Sequence, residues 1–259
     1  DTYRTEPEEV GPLFAANVRK AISAMKKKKI RFAGLVADSI FSSDGIYPGE
    51  PGFMAEAIAD VRKEGGLFIA DEVQPGFART GETMWGFERH GLVPDMVVMG
   101  KPMGNGYPIA GVVVKPDLLE TFGKTAGYFN TFGGNPVAAA AGLAVLETLE
   151  AENLQENARE VGAYLLGELG AVAQRFSQLG DVRGKGLYIG VELVRDRKSK
   201  EPDRAAATSV VEMLRDRNIL VGIAGPYGNI VKIRPPLCFA RDHADLLVKA
   251  LSDSLATLS

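Results

Sequence analysis

Short apolar runs, separated by helical stretches or glycine-rich loops, recur through the first part of this 259-residue chain. The runs occupy residues 30–38, 67–71, 94–101 and 109–116. Short, continuous apolar runs are typical of strands that are buried on both faces of a parallel sheet. Helical periodicity at residues 8–29 and 53–64 lies between these strands. The alternation predicts an α/β domain with a mainly parallel sheet.

The pattern changes after residue 130. Asn135 and Pro136 are typical of a helix N-cap and a first helical position, and one long Ala-rich helix is predicted to continue from there to about residue 175. Strands at 180–194, a helix near 204–217, two more strands and a closing helix from about 241 follow. This second group predicts a small α+β domain. We place the boundary inside the long helix, which gives a large domain at 1–170 and a small one at 171–259.

Composition excludes several classes of protein. The net charge is −3, so no basic surface for nucleic acid is expected, and no apolar run approaches the length of a membrane span. Two histidines, His90 and His243, are predicted at the surface, and with a single cysteine they leave too few ligands for most metal sites. Because the one cysteine suits a reducing compartment and no signal peptide is recognised, we expect a cytoplasmic protein without a metal site.

An acid and a lysine end two successive strands of the predicted sheet. Asp71 ends the run LFIAD, and Lys101 ends the run PDMVVMGK. The carboxyl ends of parallel strands form the ligand-binding edge of an open sheet, so we expect both side chains to lie there, buried. Such a lysine can form a Schiff base with the aldehyde of pyridoxal phosphate, while the acid pairs with the ring nitrogen. If either residue stood alone, an ordinary role would explain it better than this chemistry: Asp71 as a turn-capping aspartate, or Lys101 as a solvated loop lysine.

Three motifs in order carry a resemblance to a known family: ADEVQPGFARTG, PDMVVMGKPMGNGYP and FNTFGGNP. With DVRGKGLYIGVELV and KIRPPLCF, they resemble the class III (omega) aminotransferases along nearly the whole chain. The resemblance implies a fold-type I transferase that depends on pyridoxal 5'-phosphate, with a large cofactor domain and a small α+β C-terminal domain. It implies an enzyme that moves an amino group between an amino acid or amine and a 2-oxo acid.

The same resemblance implies roles for matching residues. Lys101 matches the Schiff-base lysine, which also moves the proton, and Asp71 matches the acid that pairs with the pyridine nitrogen. Val73 matches the apolar residue on one ring face, and Gln74 matches the side chain near the ring hydroxyl. Thr131 matches the threonine that reaches the cofactor phosphate of the other subunit. A homodimer with shared active sites is therefore expected.

The surroundings of Thr131 give this last expectation some support of their own. The turn TFGGNP opens a helix, and helix N-termini offer free N–H groups to a phosphate. Tyr128, Phe129 and Phe132 lie in or beside a segment, residues 121–130, that is predicted to be a loop. Aromatic side chains in such a loop suggest burial against a partner.

The chain departs from the family pattern in two respects. Family members carry an upstream segment with a Gly/Ser-rich phosphate loop and a ring-stacking aromatic residue, and no stretch of the 259 residues resembles it. Ser43 and Lys232 stand where members acting on ornithine or 4-aminobutyrate have glutamate and arginine. Lys232 and Arg234 are two apart on a predicted strand, so we expect both to face the substrate. The motifs look more like the alanine–glyoxylate aminotransferase 2 group and its phospholyase relatives.

Three functions therefore stay open at this point. The first is an aminotransferase. The second is an amino-phosphate phospholyase, which uses the same cofactor to expel phosphate from phosphoethanolamine or phosphohydroxylysine. The third is a non-catalytic cofactor-binding or dimerisation domain. The first two share removal of a proton from the substrate carbon and differ in the step that follows.

Overall fold

A computed structural model describes residues 3–258, which form two four-stranded sheets and seven α-helices. The first sheet contains β1 (Gly34–Ala37), β2 (Leu67–Asp71), β3 (Met96–Met99) and β4 (Gly111–Val114), in that spatial order. The β1–β2 and β2–β3 pairs are parallel, and the β3–β4 pair is antiparallel. The expected mainly parallel sheet is confirmed. Strand β4 reverses direction because the connection between β3 and β4 has no crossover helix.

Two helices, α1 (Pro7–Lys27) and α2 (Ala55–Lys63), cover one face of the first sheet. Phe68 and Ala70 of β2 are buried on this face, in the same cluster as Ile58 of α2. Helix α2 ends where predicted, because Gly65 adopts a left-handed φ of 74° that other residues rarely take.

Asp71 lies on the opposite face of the first sheet. Strand alternation and register place Val36, Val98 and Val112 on the same face as Asp71. Val36 is 60% exposed and Val112 is 57% exposed. Residues 3–258 thus leave the apolar surface around Asp71 largely uncovered.

The middle of the chain holds three helices: α3 (Pro116–Thr125), α4 (Pro136–Ala151) and α5 (Leu154–Arg175). The predicted cap of α4 is confirmed, because the Asn135 side chain accepts a hydrogen bond from the Ala138 N–H at 3.0 Å. The prediction of one long helix is wrong. Asn153 takes a φ of 51°, a left-handed conformation that asparagine tolerates, and it separates α4 from α5.

The loop predicted at residues 121–130 is wrong in its first half, which belongs to α3. Pro116 occupies the first helical turn together with Asp117. Proline at the first position and an acid near the positive helix end are helix-start signals, and they outweighed the loop-like glycines that follow.

The second sheet is antiparallel, with strand order β5 (Leu179–Lys185), β6 (Tyr188–Leu193), β8 (Ile230–Ile233), β7 (Gly222–Ala224). Helices α6 (Arg204–Arg215) and α7 (Arg241–Thr257) pack on it, as expected for a small α+β unit. Leu165 and Leu169 of α5 join the same buried cluster. The division of the chain at residues 170 and 171 stays a prediction.

The two sheets meet through a close backbone approach at Gly186, in the turn between β5 and β6. A Cβ atom built on Gly186 would lie 2.4 Å from the carbonyl carbon of Thr80, and one on Gly162 would lie 2.3 Å from the carbonyl carbon of Gly186. Gly186 also has a left-handed φ of 53°. No side chain fits here, so this contact holds the second sheet against the segment that follows Asp71.

The prediction that His90 lies at the surface is wrong, whereas His243 is exposed as expected. His90 is 4% exposed. Its Nδ1 accepts a hydrogen bond from Gly52 at 3.2 Å, and its Nε2 lies 2.9 Å from the carbonyl oxygen of Ser39. The ring also contacts Phe53 edge to face. These contacts come from residues distant in sequence, so the polar context of His90 gave no sign of them.

Burial lowers the pKa of His90 from 6.5 to about 4. Because the folded-state pKa lies below the unfolded one, the unfolded chain binds a proton first as the pH falls. The contribution of neutral His90 to the free energy of unfolding is complete above the pKa of the unfolded state. It is lost as the pH falls towards the pKa of the folded state, by about 3 kcal/mol at most. Between about pH 7 and about pH 4.5, the free energy of unfolding of His90→Gln should therefore fall by less than that of the unaltered protein. Urea denaturation at the two pH values measures this difference.

His243→Gln, which removes the exposed imidazole of α7, is the matched control for this experiment. A loss of stability with acid that is the same in His90→Gln and in the unaltered protein would show that His90 is not held neutral by burial.

Candidate active site

Asp71 and Lys101 lie at the same edge of the first sheet, as predicted. Asp71 ends β2, and Lys101 follows β3, its parallel neighbour. Both line a cavity of about 330 Å³, which we call the acidic cavity because Asp38, Asp44 and Asp71 line it. One carboxylate oxygen of Asp71 accepts a hydrogen bond from the Val73 N–H at 3.0 Å, which fixes the turn after the strand.

Lys101 is not buried, in contrast to the expectation from the sequence. Its side chain is exposed in the turn after Gly100. The surface around it is the open face of the sheet, which residues 3–258 do not cover. A Cβ on Gly100 would lie 3.6 Å from the Val73 side chain, so Val73 is packed beside the start of this turn.

Gln74 joins the two sheets at the site. Its Oε1 accepts hydrogen bonds from the Tyr188 hydroxyl at 2.8 Å and from Arg234 at 3.3 Å. Its Nε2 donates to the hydroxyls of Ser42 at 2.7 Å and Ser43 at 2.9 Å. The amide orientation is set by these partners, since its oxygen faces donors and its nitrogen faces hydroxyl acceptors.

The segment that carries Ser42 and Ser43 is itself held by Asp38. The Asp38 carboxylate accepts hydrogen bonds from the Ile40 N–H at 2.8 Å and the Ser42 N–H at 2.9 Å, and from the Ser42 hydroxyl. Burial raises the pKa of Asp38, and the hydrogen bonds from Ser42 and Ile40 oppose this rise.

Glu72, next to Asp71, anchors the chain that follows β2. Its two oxygens accept hydrogen bonds from the Gly86 N–H at 2.8 Å and the Phe87 N–H at 2.9 Å. The side chain is fully buried, and this burial raises the pKa of Glu72 to about 7 against the effect of both N–H donors. Glu72 therefore supports the strand end that carries Asp71 and does not face the cavity.

A second cavity, of about 630 Å³, adjoins the first, and Val73, Gln74 and Lys101 line both. We call it the basic cavity, because Arg79 and Arg234 line it together with Lys101. Among the described residues that line it, Glu152 is the one acid, and it is exposed.

The structure brings most of the predicted site residues together. Asp71, Val73, Gln74 and Lys101 share the acidic cavity, and Arg234 reaches Gln74 from the second sheet. Lys232 lines neither cavity. It is close enough for its pKa to be lowered, first by burial and then by the charges of Arg234 and Lys101.

Thr131 is exposed and lines neither the acidic nor the basic cavity of its own chain. Its aromatic neighbours Tyr128, Phe129 and Phe132 are 75%, 87% and 80% exposed. The loop is nevertheless ordered by its own hydrogen bonds, in which the Asn130 side chain accepts from the Gly133 N–H at 2.9 Å. The role of Thr131 in a partner's site stays a prediction.

Sequence reasoning missed Tyr188 and Arg79 as site residues. Tyr188 stands among apolar residues of β6 and is fully buried, yet its hydroxyl reaches Gln74, 114 residues away. Arg79 donates to the carbonyl oxygens of Leu187 and Pro235, also across the contact between the sheets. A tyrosine inside an apolar strand could have indicated a buried hydroxyl with a hydrogen-bond partner. The sequence around Arg79 carried no comparable signal.

A lysine and an aspartate lie at the carboxyl ends of adjacent parallel strands, and a small antiparallel unit follows, which is the arrangement expected of a fold-type I transferase that depends on pyridoxal phosphate. The model of the class III aminotransferase family matches residues 5–255, and the chain belongs to this family. The expected fold is thereby confirmed.

Curated relatives agree with this assignment. The chain is 47% identical over 226 residues to alanine–glyoxylate aminotransferase 2 homolog 2 of Arabidopsis thaliana, covering 87% of this chain and 47% of the relative. It is 42% identical over 224 residues to human alanine–glyoxylate aminotransferase 2, covering 86% and 44%. The chain thus spans about half the length of these relatives. Both are named as mitochondrial, so the expectation of a cytoplasmic protein is wrong.

Solved structures are also similar. A phospholyase from Arthrobacter in complex with phosphoethanolamine has a TM-score of 0.93 at 40% identity, covering 99% of this chain and 61% of that one. A PLP-bound amine transaminase from an uncultivated Pseudomonas species has a TM-score of 0.88 at 30% identity, covering 99% and 60%. The expected cofactor agrees with the family and with this PLP-bound neighbour.

Residues 3–258 contain neither a membrane-spanning helix nor a metal-binding cluster. In that range, no helix is both long and apolar enough to cross a membrane. Within the same residues, no group of three or more His, Cys, Asp or Glu side chains is arranged to hold a metal ion.

Removing the Tyr188 hydroxyl tests the contact across the sheets. Tyr188→Phe should lower the free energy of unfolding by about 1–2 kcal/mol, because Gln74 loses a buried hydrogen-bond donor. Urea denaturation measures this loss. Tyr227→Phe, which removes an exposed hydroxyl from the same unit, is the control and should change stability by less than about 0.5 kcal/mol. Equal effects of the two substitutions would mean that the Tyr188–Gln74 bond contributes nothing.

Proposed function

We propose that the protein containing this chain is a PLP-dependent aminotransferase that moves an amino group between an amino acid or amine and a 2-oxo acid. The observation that supports it most is the shared cavity of Asp71 and Lys101 at the edge of the parallel sheet. Membership of the class III aminotransferase family agrees with this activity.

The residues around the acidic cavity suit the cofactor. The Asp71 carboxylate has one oxygen available. Among the described residues, only its Oδ1 accepts a hydrogen bond, from the Val73 N–H. Val73 lines the same cavity and supplies an apolar surface suitable for the face of a ring. The Lys101 amine forms no ion pair within residues 3–258, so it is free to bond to an aldehyde.

When bound, pyridoxal phosphate supplies an aldehyde for the amino group and a ring that draws electrons from the substrate carbon. Lys101 would hold the aldehyde between turnovers, and its Nζ, once released, would take the proton from the substrate carbon. Asp71 would keep the ring nitrogen protonated, because a nearby carboxylate favours the charged form. Gln74 would bind near the ring hydroxyl, and Ser42, Ser43 and Tyr188 position its amide.

The second candidate is an amino-phosphate phospholyase acting on phosphoethanolamine or phosphohydroxylysine. It is supported by the likeness to the Arthrobacter phospholyase and by the arginines of the basic cavity. Phosphate released from phosphoethanolamine without any 2-oxo acid would favour this candidate. The third candidate, a non-catalytic domain, has no support from the shared cavity.

The first test is of cofactor attachment. In the full-length protein, borohydride reduction and peptide mapping should find a pyridoxyl group on Lys101. Lys101→Ala should lose this label and lose transamination by several orders of magnitude, because the amine both holds the cofactor and moves the proton. Lys63→Ala, an exposed lysine of α2, is the control and should keep label and turnover. Near-normal turnover in Lys101→Ala would refute the function.

We also propose that the protein is a homodimer with shared active sites. The support is the exposure of Tyr128, Phe129 and Phe132 beside Thr131, on a loop that keeps its own hydrogen bonds. Exposed aromatic side chains on an ordered loop favour burial against a partner. In a two-fold dimer the same loop reaches each partner's site, because symmetry makes the exchange mutual. Thr131 would then contact the cofactor phosphate of the other subunit.

Co-expression of two full-length variants tests this sharing. Lys101→Ala and Thr131→Ala each impair the enzyme alone. In a mixed dimer, the site that keeps Lys101 would receive an intact Thr131 from its partner, so one site per dimer should recover activity. The measurement is transamination by purified mixed dimers. Activity no greater than the sum of the separate variants would make Thr131 a residue of its own chain's site.

A further inference from the structure

The hydrogen bonds around Gln74 have a direction that is set by the groups at their two ends. At one end lies Arg234, whose guanidinium group can only donate, so the Gln74 atom that it contacts at 3.3 Å is the amide oxygen. The Tyr188 hydroxyl donates to the same oxygen at 2.8 Å. Because its oxygen faces these two donors, Gln74 directs its NH2 group towards Ser42 and Ser43.

Asp38 sets the direction at the other end. Its carboxylate accepts hydrogen bonds from the Ser42 hydroxyl and from the N–H groups of Ile40 at 2.8 Å and Ser42 at 2.9 Å. Because Ser42 gives its hydroxyl proton to Asp38, its oxygen meets Gln74 with a lone pair and accepts one amide N–H at 2.7 Å. The other N–H of the amide is donated to Ser43 at 2.9 Å.

Ser43 is therefore oriented as a donor at the acidic cavity. Its oxygen accepts the Gln74 N–H, so its own hydroxyl proton points away from the amide. Ser43 lines the acidic cavity together with Asp71 and Lys101, the residues that would bind the ring nitrogen and the aldehyde of the cofactor. The hydrogen-bond chain thus begins in the second sheet and ends in a hydroxyl donor at the cofactor cavity.

The backbone of Ser43 is held in place, although its side chain is exposed. Its carbonyl oxygen accepts a hydrogen bond from the Gly225 N–H, directly after β7, at 3.2 Å. The carbonyl oxygens of Gly45 and Ile46 accept from the buried guanidinium group of Arg183 at 2.7 and 2.8 Å. The hydroxyl therefore has a fixed place at the cavity, which a residue that binds a rigid ring requires.

We propose that Ser43 is a further cofactor-binding residue, whose hydroxyl donates a hydrogen bond to the ring oxygen of pyridoxal phosphate. The proposal rests on the proposed function, because it takes the acidic cavity as the cofactor site. The ring oxygen is next to the aldehyde carbon on the ring, so a group that binds it must share the cavity with Lys101. Ser43 does so, on the side of Gln74. Gln74 is then the positioning residue that orients this hydroxyl.

A donor at the ring oxygen changes the acidity of the Schiff base at Lys101. The protonated Schiff base nitrogen shares its proton with the neighbouring ring oxygen, and a hydroxyl that donates to this oxygen competes for the same negative charge. The Ser43 hydroxyl should therefore lower the pKa of the Schiff base nitrogen, and its removal should raise that pKa. The two protonation states differ in absorbance, so a spectroscopic titration measures the pKa.

This titration is carried out on the full-length holoenzyme. Ser43→Ala should raise the pKa of the Schiff base nitrogen by about 0.5–1 pH unit, because the ring oxygen loses a hydrogen-bond donor. Ser43→Thr keeps the hydroxyl and should leave the pKa within about 0.2 pH unit. Ser23→Ala, which removes an exposed hydroxyl from α1, is the matched control and should not change it. These substitutions keep the charged groups around Lys101, which are Asp38, Asp44, Asp71, Arg79, Lys232 and Arg234.

Gln74→Glu tests the direction of the hydrogen-bond chain. A carboxylate has no N–H, so the Ser43 hydroxyl would turn and donate to it. The added charge changes the pKa by itself, so Ser43→Ala is compared within each background. Its effect should be full beside Gln74 and less than about 0.2 pH unit in the Gln74→Glu protein. An equal rise in both backgrounds would overturn the orientation and the proposal. If Gln74→Glu does not fold, Ser43→Ala in the unaltered background decides.

The outcome for the cofactor is read separately. Borohydride labelling of Lys101 reports the proposed function, and the pKa change in Ser43→Ala reports the contact of Ser43. A labelled Lys101 with an unchanged pKa in Ser43→Ala would overturn the contact and leave the function intact. Equal rises in Ser43→Ala and Ser43→Thr would show that the hydroxyl is not responsible, which also overturns the contact. A holoenzyme without the label on Lys101 would overturn both.

Discussion

The buried guanidinium group of Arg183 ties the second sheet to the segment that forms one wall of the site. Its Nε and Nη2 donate to the carbonyl oxygens of Gly45 and Ile46, and its Nη1 pairs with Glu192 at 2.7 Å. The same group stacks on the ring of Tyr47. A buried charge is stable only when it is paired and hydrogen-bonded, so this segment cannot leave the second sheet without exposing Arg183 to a large penalty.

The position of Gln74 follows from that constraint. Ser42 and Ser43 precede the anchored carbonyls, and Tyr188 comes from the anchoring sheet, so these three of the amide's four partners are fixed together. The aspartate and the lysine come from the first sheet, and the arginine pair spans the contact between the sheets. The site is therefore a property of the contact between two units, as ligand sites often are. Its division into an acidic and a basic cavity arises in the same way.

Sequence reasoning succeeded where the information was local or periodic. Asp71 and Lys101 end apolar runs, so their position at one edge of a parallel sheet followed from strand direction alone. The Asn135 cap was readable for the same reason. Sequence reasoning failed where contacts between residues distant in the chain decide burial. His90 is buried by Gly52, Ser39 and their neighbours, and the exposure of Lys101 depends on what covers the sheet. The prediction of a cytoplasmic location failed because amino-acid composition does not record where a protein is located in the cell.

The sequence by itself determined the family, the α/β order of elements and the position of Asp71 and Lys101 at one edge of the parallel sheet. These depend on short motifs and on side-chain periodicity, which a linear chain displays directly. The tertiary structure alone decided that Tyr188 and Arg234 meet Gln74, and that Arg79 lies beside Arg234 without an acid. Such contacts join residues more than a hundred positions apart. They exist because Gly186 lets two backbones approach closely, and no local pattern encodes that approach.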